Sequence, residues 1–155
     1  MRELTIIFTL LIVVFMSNSC QQEEYNTESQ TDYDKEILEV INFHRDTIGL
    51  PPLVHDEYIW QVTNNHSENM ANGNVPVSHD GITERSDQII AVHGSGIVAE
   101  NIASGKGTAE EIVNSWLASV GHKKNIEGKF TLTGLSAIKS GDGKWYYTQI
   151  FYYPN

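Results

Sequence analysis

The sequence predicts an α+β domain, a three-layer α-β-α sandwich in which a small antiparallel sheet lies between two helical layers. Apolar residues recur at helical spacing over much of the domain, and this pattern changes to strand-like alternation near the C-terminus. The last predicted strand is apolar on both faces, so both faces require cover. Helices on each side of the sheet meet that requirement.

The composition fits one domain with an ordinary core. The chain has 155 residues, of which 40% are apolar and 19% charged, too apolar for a disordered protein. A net charge of −10 leaves no basic surface for a phosphate backbone, so we expect no nucleic-acid partner. The single cysteine, Cys20, excludes an intramolecular disulfide framework and any multi-cysteine metal site.

The N-terminus has the pattern of an export signal over residues 1–19. Arg2 precedes an apolar run from Leu4 to Met16, which is shorter than the roughly 20 residues of a membrane-spanning helix. Three small polar residues and then Cys20 follow, an order that resembles a bacterial lipoprotein signal, in which the cysteine receives the lipid. We therefore expect a membrane partner through lipid at Cys20 and a place in the cell envelope or at the cell surface. An ordinary secretory signal, and so a secreted protein, is the alternative.

Residues 20–33 are polar and show no apolar periodicity. Acids dominate here and into the first predicted helix, and the window from Glu23 to Glu39 carries seven acids against one lysine. Such a segment buries too little surface to offset its ordering entropy, so we expect a flexible acidic tether. The compact domain is then residues 34–155.

Helical stripes and capping residues define the first half of this domain. Ile37 and Ile41 lie on one stripe, and Gly49 is a favoured stop after it. Asp56 is a suitable start for a second helix, which continues to Gly73.

The second half combines two further helices with strands. Thr83 is a candidate cap for a short helix over 86–92, and Thr108 begins a capping box before a helix that contains Trp116. Residues 100–103 resemble a strand, and residues 131–139 and 144–153 predict a hairpin around a Gly-rich turn.

Three residues far apart in the sequence are candidates for chemistry: His79, Glu100 and His122. Glu100 lies in a predicted strand, where a charged side chain requires a partner or an open cleft. Two neutral imidazoles and a carboxylate can bind a divalent ion such as zinc, or move a proton near neutral pH.

The other histidines favour structural roles. His66 lies on the apolar stripe of the second helix, as expected of a core histidine bonded to backbone. We expect His44 and His55 to be structural or solvent-facing and His93 to be exposed in a loop. No His-Glu-x-x-His pair is present in the sequence.

Five short blocks follow one another between Glu36 and Tyr153. They are Ile37-Leu38-x-x-Ile41-Asn42-x-x-Arg45 before Gly49-Leu50-Pro51-Pro52-Leu53, then His66-Ser67-Glu68-Asn69-Met70-Ala71, Ser78-His79, Ala99-Glu100-Asn101-Ile102, and Ser115-Trp116-x-x-Ser119-x-Gly121-His122-x-x-Asn125-Ile126. In this order and spacing they resemble the bacterial branch of the CAP superfamily, the SCP-like or cysteine-rich secretory protein domain.

The resemblance implies an α-β-α sandwich with a cleft of two histidines and two acids. By motif, the histidines are His79 and His122 and the first acid is Glu100. Ser119 stands where the second acid belongs, so a mechanism that uses all four residues lacks one of its acids.

The family's functions include sterol and lipid binding, partner binding, and metal-dependent or proteolytic activity, so the fold does not decide among them. We expect a non-catalytic binding protein whose partner is a small hydrophobic ligand or an extracellular protein. The competing hypothesis is a metal-assisted hydrolase or protease with His79, Glu100 and His122 as zinc ligands or acid/base groups. A third hypothesis gives the cleft a structural role only.

Overall fold

The computed structural model describes residues 18–155, with side chains from residue 32 onward. Most of the predicted export signal and the side chain of Cys20 lie outside the described part. The elements, in chain order, are α1 (Asn18–Thr47), β1 (Val54–His55), α2 (Glu57–Ala71), α3 (Ile82–His93), β2 (Gly96–Gly105), α4 (Ala109–Ala118), α5 (Val120–Ile126), β3 (Leu132–Lys139) and β4 (Trp145–Pro154). None of the helices in the described residues combines the length and the apolar character needed to cross a membrane.

The four strands form one sheet in the order β1-β3-β4-β2. β3 and β4 form the predicted antiparallel hairpin, and β2 pairs antiparallel with β4 along its full length. The sheet is mixed, however, because β1 runs parallel to β3 through Val54↔Leu132 and His55↔Thr133. A two-residue strand after two prolines has no periodicity that would have predicted this pairing.

Two cores confirm the three-layer sandwich. On one face of the sheet, α1, α4 and α5 supply Ile37, Trp116 and Ile126 to a core that includes Tyr147 and Phe151 of β4. On the other face, α2 and α3 pack apolar side chains against the sheet, and this second core consists of Ile59, Val62, Ile89, Ile150 and Tyr152. β4 therefore contributes alternate side chains to both cores, as its apolar pattern predicts.

The approach of α2 to the sheet depends on Gly134 of β3. A Cβ at this position would overlap the backbone of Ile59 and Trp60 in α2. The glycine therefore lets the helix lie directly on the strand.

Capping residues were predicted for three helices, and two of these helices begin at the predicted residue. Asp56 accepts a hydrogen bond from the Ile59 amide at 2.9 Å, and Thr108 forms the predicted capping box with Glu111. α3 instead begins at Ile82 after Gly81, whose φ of 78° is left-handed, so the prediction of a helix starting near residue 86 was wrong by one turn.

The first helix extends further towards the N-terminus than expected. The backbone of residues 18–33 is helical, where a flexible tether was predicted. Extending an established helix requires little free energy compared with starting one, which accounts for helix in a polar segment. Tyr33 also belongs to the domain, because its hydroxyl donates to the Gly107 carbonyl at 2.9 Å and its ring packs on Trp145.

On each side of the sheet, a side chain bonds one backbone group that no neighbouring strand of the described residues pairs. The carbonyls of Thr131 and Thr133 bond to β1, and strand alternation places the Ala137 amide on the same edge, beyond the end of β1. Asp34 Oδ1 accepts from that amide at 2.7 Å. At the opposite edge, Asn125 Nδ2 donates to the Glu100 carbonyl of β2 at 3.1 Å.

Candidate functional site

The candidate residues come from three separate parts of the chain. His79 lies in the loop between α2 and α3, Glu100 lies in the middle of β2, and His122 lies in α5. Ser119 connects α4 to α5, and its side chain makes no capping hydrogen bond.

Glu100 is a buried carboxylate held by a guanidinium. Its side chain is only 1% exposed. Arg85 Nε donates to Oε2 at 2.7 Å and Arg85 Nη2 donates to Oε1 at 2.9 Å, a two-pronged ion pair. Glu100 is therefore ionised and neutralised by a residue of α3.

His79 gives the third hydrogen bond to this carboxylate. Its Nδ1 lies 2.9 Å from Glu100 Oε1, and because an ionised carboxylate can only accept, Nδ1 carries the proton. The His79 side chain is 54% exposed. In the neutral ring the unprotonated nitrogen is thus Nε2, oriented by a buried acid in the manner of many functional histidines.

His66 is part of the same network. Its Nε2 lies 3.1 Å from the Ser78 carbonyl, an acceptor, so Nε2 carries the proton and Nδ1 accepts from Arg85 Nη1 at 3.3 Å. Burial and the charge of Arg85 lower the pKa of His66, which agrees with a neutral ring. The predicted backbone bond of His66 is confirmed, and the bond to Arg85 was not predicted. Arg85 Nη1 also donates to the Asp80 carbonyl at 2.9 Å, which ties the His79 loop to α3.

In the described part of the chain, His122 makes no hydrogen bond to this network, although it lies near enough to His79 for the charge of that ring to act on it. Its ring packs edge-on against Trp116, and both burial and the charge of His79 lower its pKa. Asn101 Nδ2 donates to the His122 carbonyl at 3.2 Å, and Asn101 Oδ1 accepts from Asn125 Nδ2 at 2.9 Å, which fastens α5 to β2. Within the described residues, no hydrogen bond joins His122 to His79 or Glu100.

The donor set does not fit the three-ligand zinc site considered above. Across residues 32–155, no three His, Cys, Asp or Glu side chains are grouped to hold a metal ion. Both oxygens of Glu100 accept from Arg85, and an adjacent guanidinium repels a cation. Without Glu100, only two of the three considered ligands remain for a metal ion, the Nε2 of His79 and the ring of His122.

The sequence reasoning missed Arg85, the residue that neutralises the acid. A signal for it existed, because Arg85 and Ile89 fall at helical spacing on the buried stripe of α3. A buried arginine on an apolar stripe requires an acid. The prediction for His93 was also wrong, since it ends α3 and pairs with Asp56 at 3.2 Å.

The profile of the cysteine-rich secretory protein family, CAP, matches residues 38–151. The chain belongs to this family. The uncharacterized protein YkwD of Bacillus subtilis strain 168 is 35% identical to the CAP chain over 118 residues, 73% of this chain and 45% of that protein. The chain thus spans less than half the length of this curated relative.

Two solved structures support the fold. An extracellular protein with an SCP domain from Bacillus anthracis superposes with a TM-score of 0.68 at 27% identity, over 83% of this chain and 42% of that one. An outer surface protein from Borrelia burgdorferi superposes with a TM-score of 0.64 at 18% identity, over 90% of this chain and 97% of that one. The second likeness shows the CAP fold alone.

Proposed function

We propose that this CAP protein is a non-catalytic binding domain that acts outside the cytoplasm, with a small hydrophobic ligand or an extracellular protein as its partner. The observation that carries the proposal is the pairing of Glu100 with Arg85. A carboxylate that is ionised, buried and bonded by three donors is a poor general base and a poor metal ligand. Its effect is to hold Arg85 and His79 in fixed positions.

This arrangement leaves a surface suited to recognition. His79 is exposed and fixed at one nitrogen, and His122 packs on Trp116 at the start of the adjacent helix. Ser119 contributes a hydroxyl where the family's second acid belongs. Hydrolysis through a side-chain nucleophile would require a hydroxyl or thiol bonded to the unprotonated Nε2 of His79, and among the described residues no such group bonds to it.

The test compares the wild type with His79→Ala and His122→Ala, with His44→Ala as a control for a histidine outside this network. Hydrolysis of broad peptide and ester panels is measured with and without zinc, alongside zinc calorimetry and binding of a fluorescent sterol and a fluorescent fatty acid. We expect no turnover above the buffer rate and at most weak zinc binding, which decreases as pH falls because imidazole must be neutral to ligate. Efficient turnover that both cleft variants lose would establish the metal-assisted hydrolase instead.

We also propose that lipid at Cys20 attaches the domain to a membrane of the cell envelope or to the cell surface. The order of apolar run, small residues and sole cysteine supports this. The description of the Bacillus anthracis relative as extracellular supports a location outside the cytoplasm. α1 is continuous from Cys20 to Tyr33, and these 14 residues make a spacer about 20 Å long between the proposed lipid and the domain.

Membrane fractionation of the wild type and Cys20→Ser tests the anchor. The wild type should sediment with membranes and carry two or more acyl chains, since one chain gives only marginal attachment. The variant should be released or remain unprocessed. A wild type found wholly in the medium, without acyl mass on Cys20, would leave ordinary secretion.

A further inference from the structure

A cavity of about 440 Å³ opens between α1, β1, α2 and β3. It shares no lining residue with the histidine network, so its role is independent of the function proposed above. Its lining consists of Asp34, Lys35, Leu38, His55, Glu57, Trp60 and Leu135. The volume is that of a pocket for a small organic molecule.

Asp34 is the unusual member of this lining. It is 7% exposed, and its carboxylate accepts from two neutral donors, Trp60 Nε1 at 3.0 Å and the Ala137 amide at 2.7 Å. None of the ion pairs among the described residues includes Asp34. Burial raises the pKa of this carboxyl to about 7, as expected for an acid without a nearby positive charge.

The other charged residues of the cavity do not supply that charge. Lys35 has a side chain that is 72% exposed and pairs with Asp32 at 3.5 Å. His55 and Glu57 lie at the exposed rim, 3.6 Å from each other. The walls are formed by Leu38, Trp60 and Leu135 and are mostly apolar.

We propose that this cavity binds a small amphipathic amine, with its ammonium group at Asp34 and its apolar group among Leu38, Trp60 and Leu135. The ammonium supplies the positive charge that Asp34 lacks, in a site of low dielectric where such a pair is strong. The indole of Trp60 also favours a cation. A carboxylate ligand would be repelled by the acids Asp34 and Glu57. The chain's net charge of −10 also attracts cations rather than anions.

The test uses three probes of nearly equal shape: phenethylamine, its neutral analogue 2-phenylethanol, and the anion phenylacetate. Each is titrated into the full chain by ligand-observed NMR at pH 8.0 and pH 5.5. We expect phenethylamine to bind at least about ten-fold more tightly than either analogue at pH 8.0. The preference should shrink at pH 5.5, because protonated Asp34 no longer attracts the ammonium.

Three variants separate the cavity from the general charge of the protein. Asp34→Asn should remove the preference for the amine, while Glu39→Gln, which deletes an exposed acid elsewhere on α1, should change amine binding less than about two-fold. Because Asp34 also bonds Trp60 and Ala137, its replacement also removes fold contacts, so Leu38→Trp is the second test. It fills the cavity while leaving the Asp34 carboxyl group in the sequence, and it should abolish binding of the amine.

Equal binding of the three probes, or amine binding that survives either Asp34→Asn or Leu38→Trp, would overturn the proposal. Selective amine binding that both variants remove, with Glu39→Gln unaffected, would establish it. Neither result depends on whether His79 or His122 binds anything, so this site and the proposed function are tested separately.

Discussion

Replacing Arg85 by methionine should destabilise the domain strongly, because it leaves Glu100 buried without a positive partner. Arg85 gives two bonds to the Glu100 carboxylate and further bonds to the Asp80 carbonyl and to His66. Methionine fills a similar volume, so the change removes the charge rather than the packing. Breaking a buried pair on one side costs about 3–5 kcal/mol. We expect a loss in this range at pH 7.

Urea denaturation of Arg85→Met, Glu100→Leu and the double variant measures this effect. The double variant should be more stable than Arg85→Met, since removing both charges leaves no uncompensated ion. A loss of less than about 1 kcal/mol in Arg85→Met at pH 7, or a double variant no more stable than it, would contradict the buried pair.

Three further changes test the fold around these sites. Trp116→Ala should cost about 3–5 kcal/mol in urea denaturation because Trp116 is buried between α4 and the sheet; a loss under about 1 kcal/mol would refute that packing. Gly134→Ala should cost at least about 1–3 kcal/mol by overlap with α2, whereas Gly121→Ala, in α5 with no atom near the added Cβ, should be neutral or stabilising. The pKa of Asp34 rises from 3.8 unfolded to about 7 folded. Wild-type stability should therefore fall by up to about 4 kcal/mol between pH 4 and pH 7 relative to Asp34→Asn, and parallel pH profiles of the two proteins would contradict this.

Periodic and capping patterns were enough to predict most of the architecture. The hairpin of β3 and β4, the buried face with Trp116, and the caps at Asp56 and Thr108 depend on local spacing, which a sequence shows directly. The parallel pairing of β1 depends on a contact between distant segments only two residues long. No local pattern encodes such a contact.

The sequence identified His79 and Glu100 as candidate residues, but it did not identify Arg85, which pairs with Glu100. His79 and Glu100 do meet, as their order and settings indicated. Placing the start of α3 near residue 86 left Arg85 outside the helix, so its position on the buried stripe went unnoticed. The error follows from Gly81, whose left-handed backbone begins the helix without any side-chain cap. Among the residues that the structure describes, His122 makes no hydrogen bond to His79 or Glu100. It lies in α5, which is held against β2 by hydrogen bonds of the Asn101 and Asn125 side-chain amides.

The two side chains at the sheet edges limit how a protein partner can dock. A peptide that joined the sheet as a fifth strand beside Ala137 or Glu100 would compete for the Ala137 amide at one edge or the Glu100 carbonyl at the other. Asp34 and Asn125 already bond these groups. Strand addition therefore loses a ladder bond at these two positions, which favours recognition through side chains and loops and hinders edge-to-edge pairing of copies there.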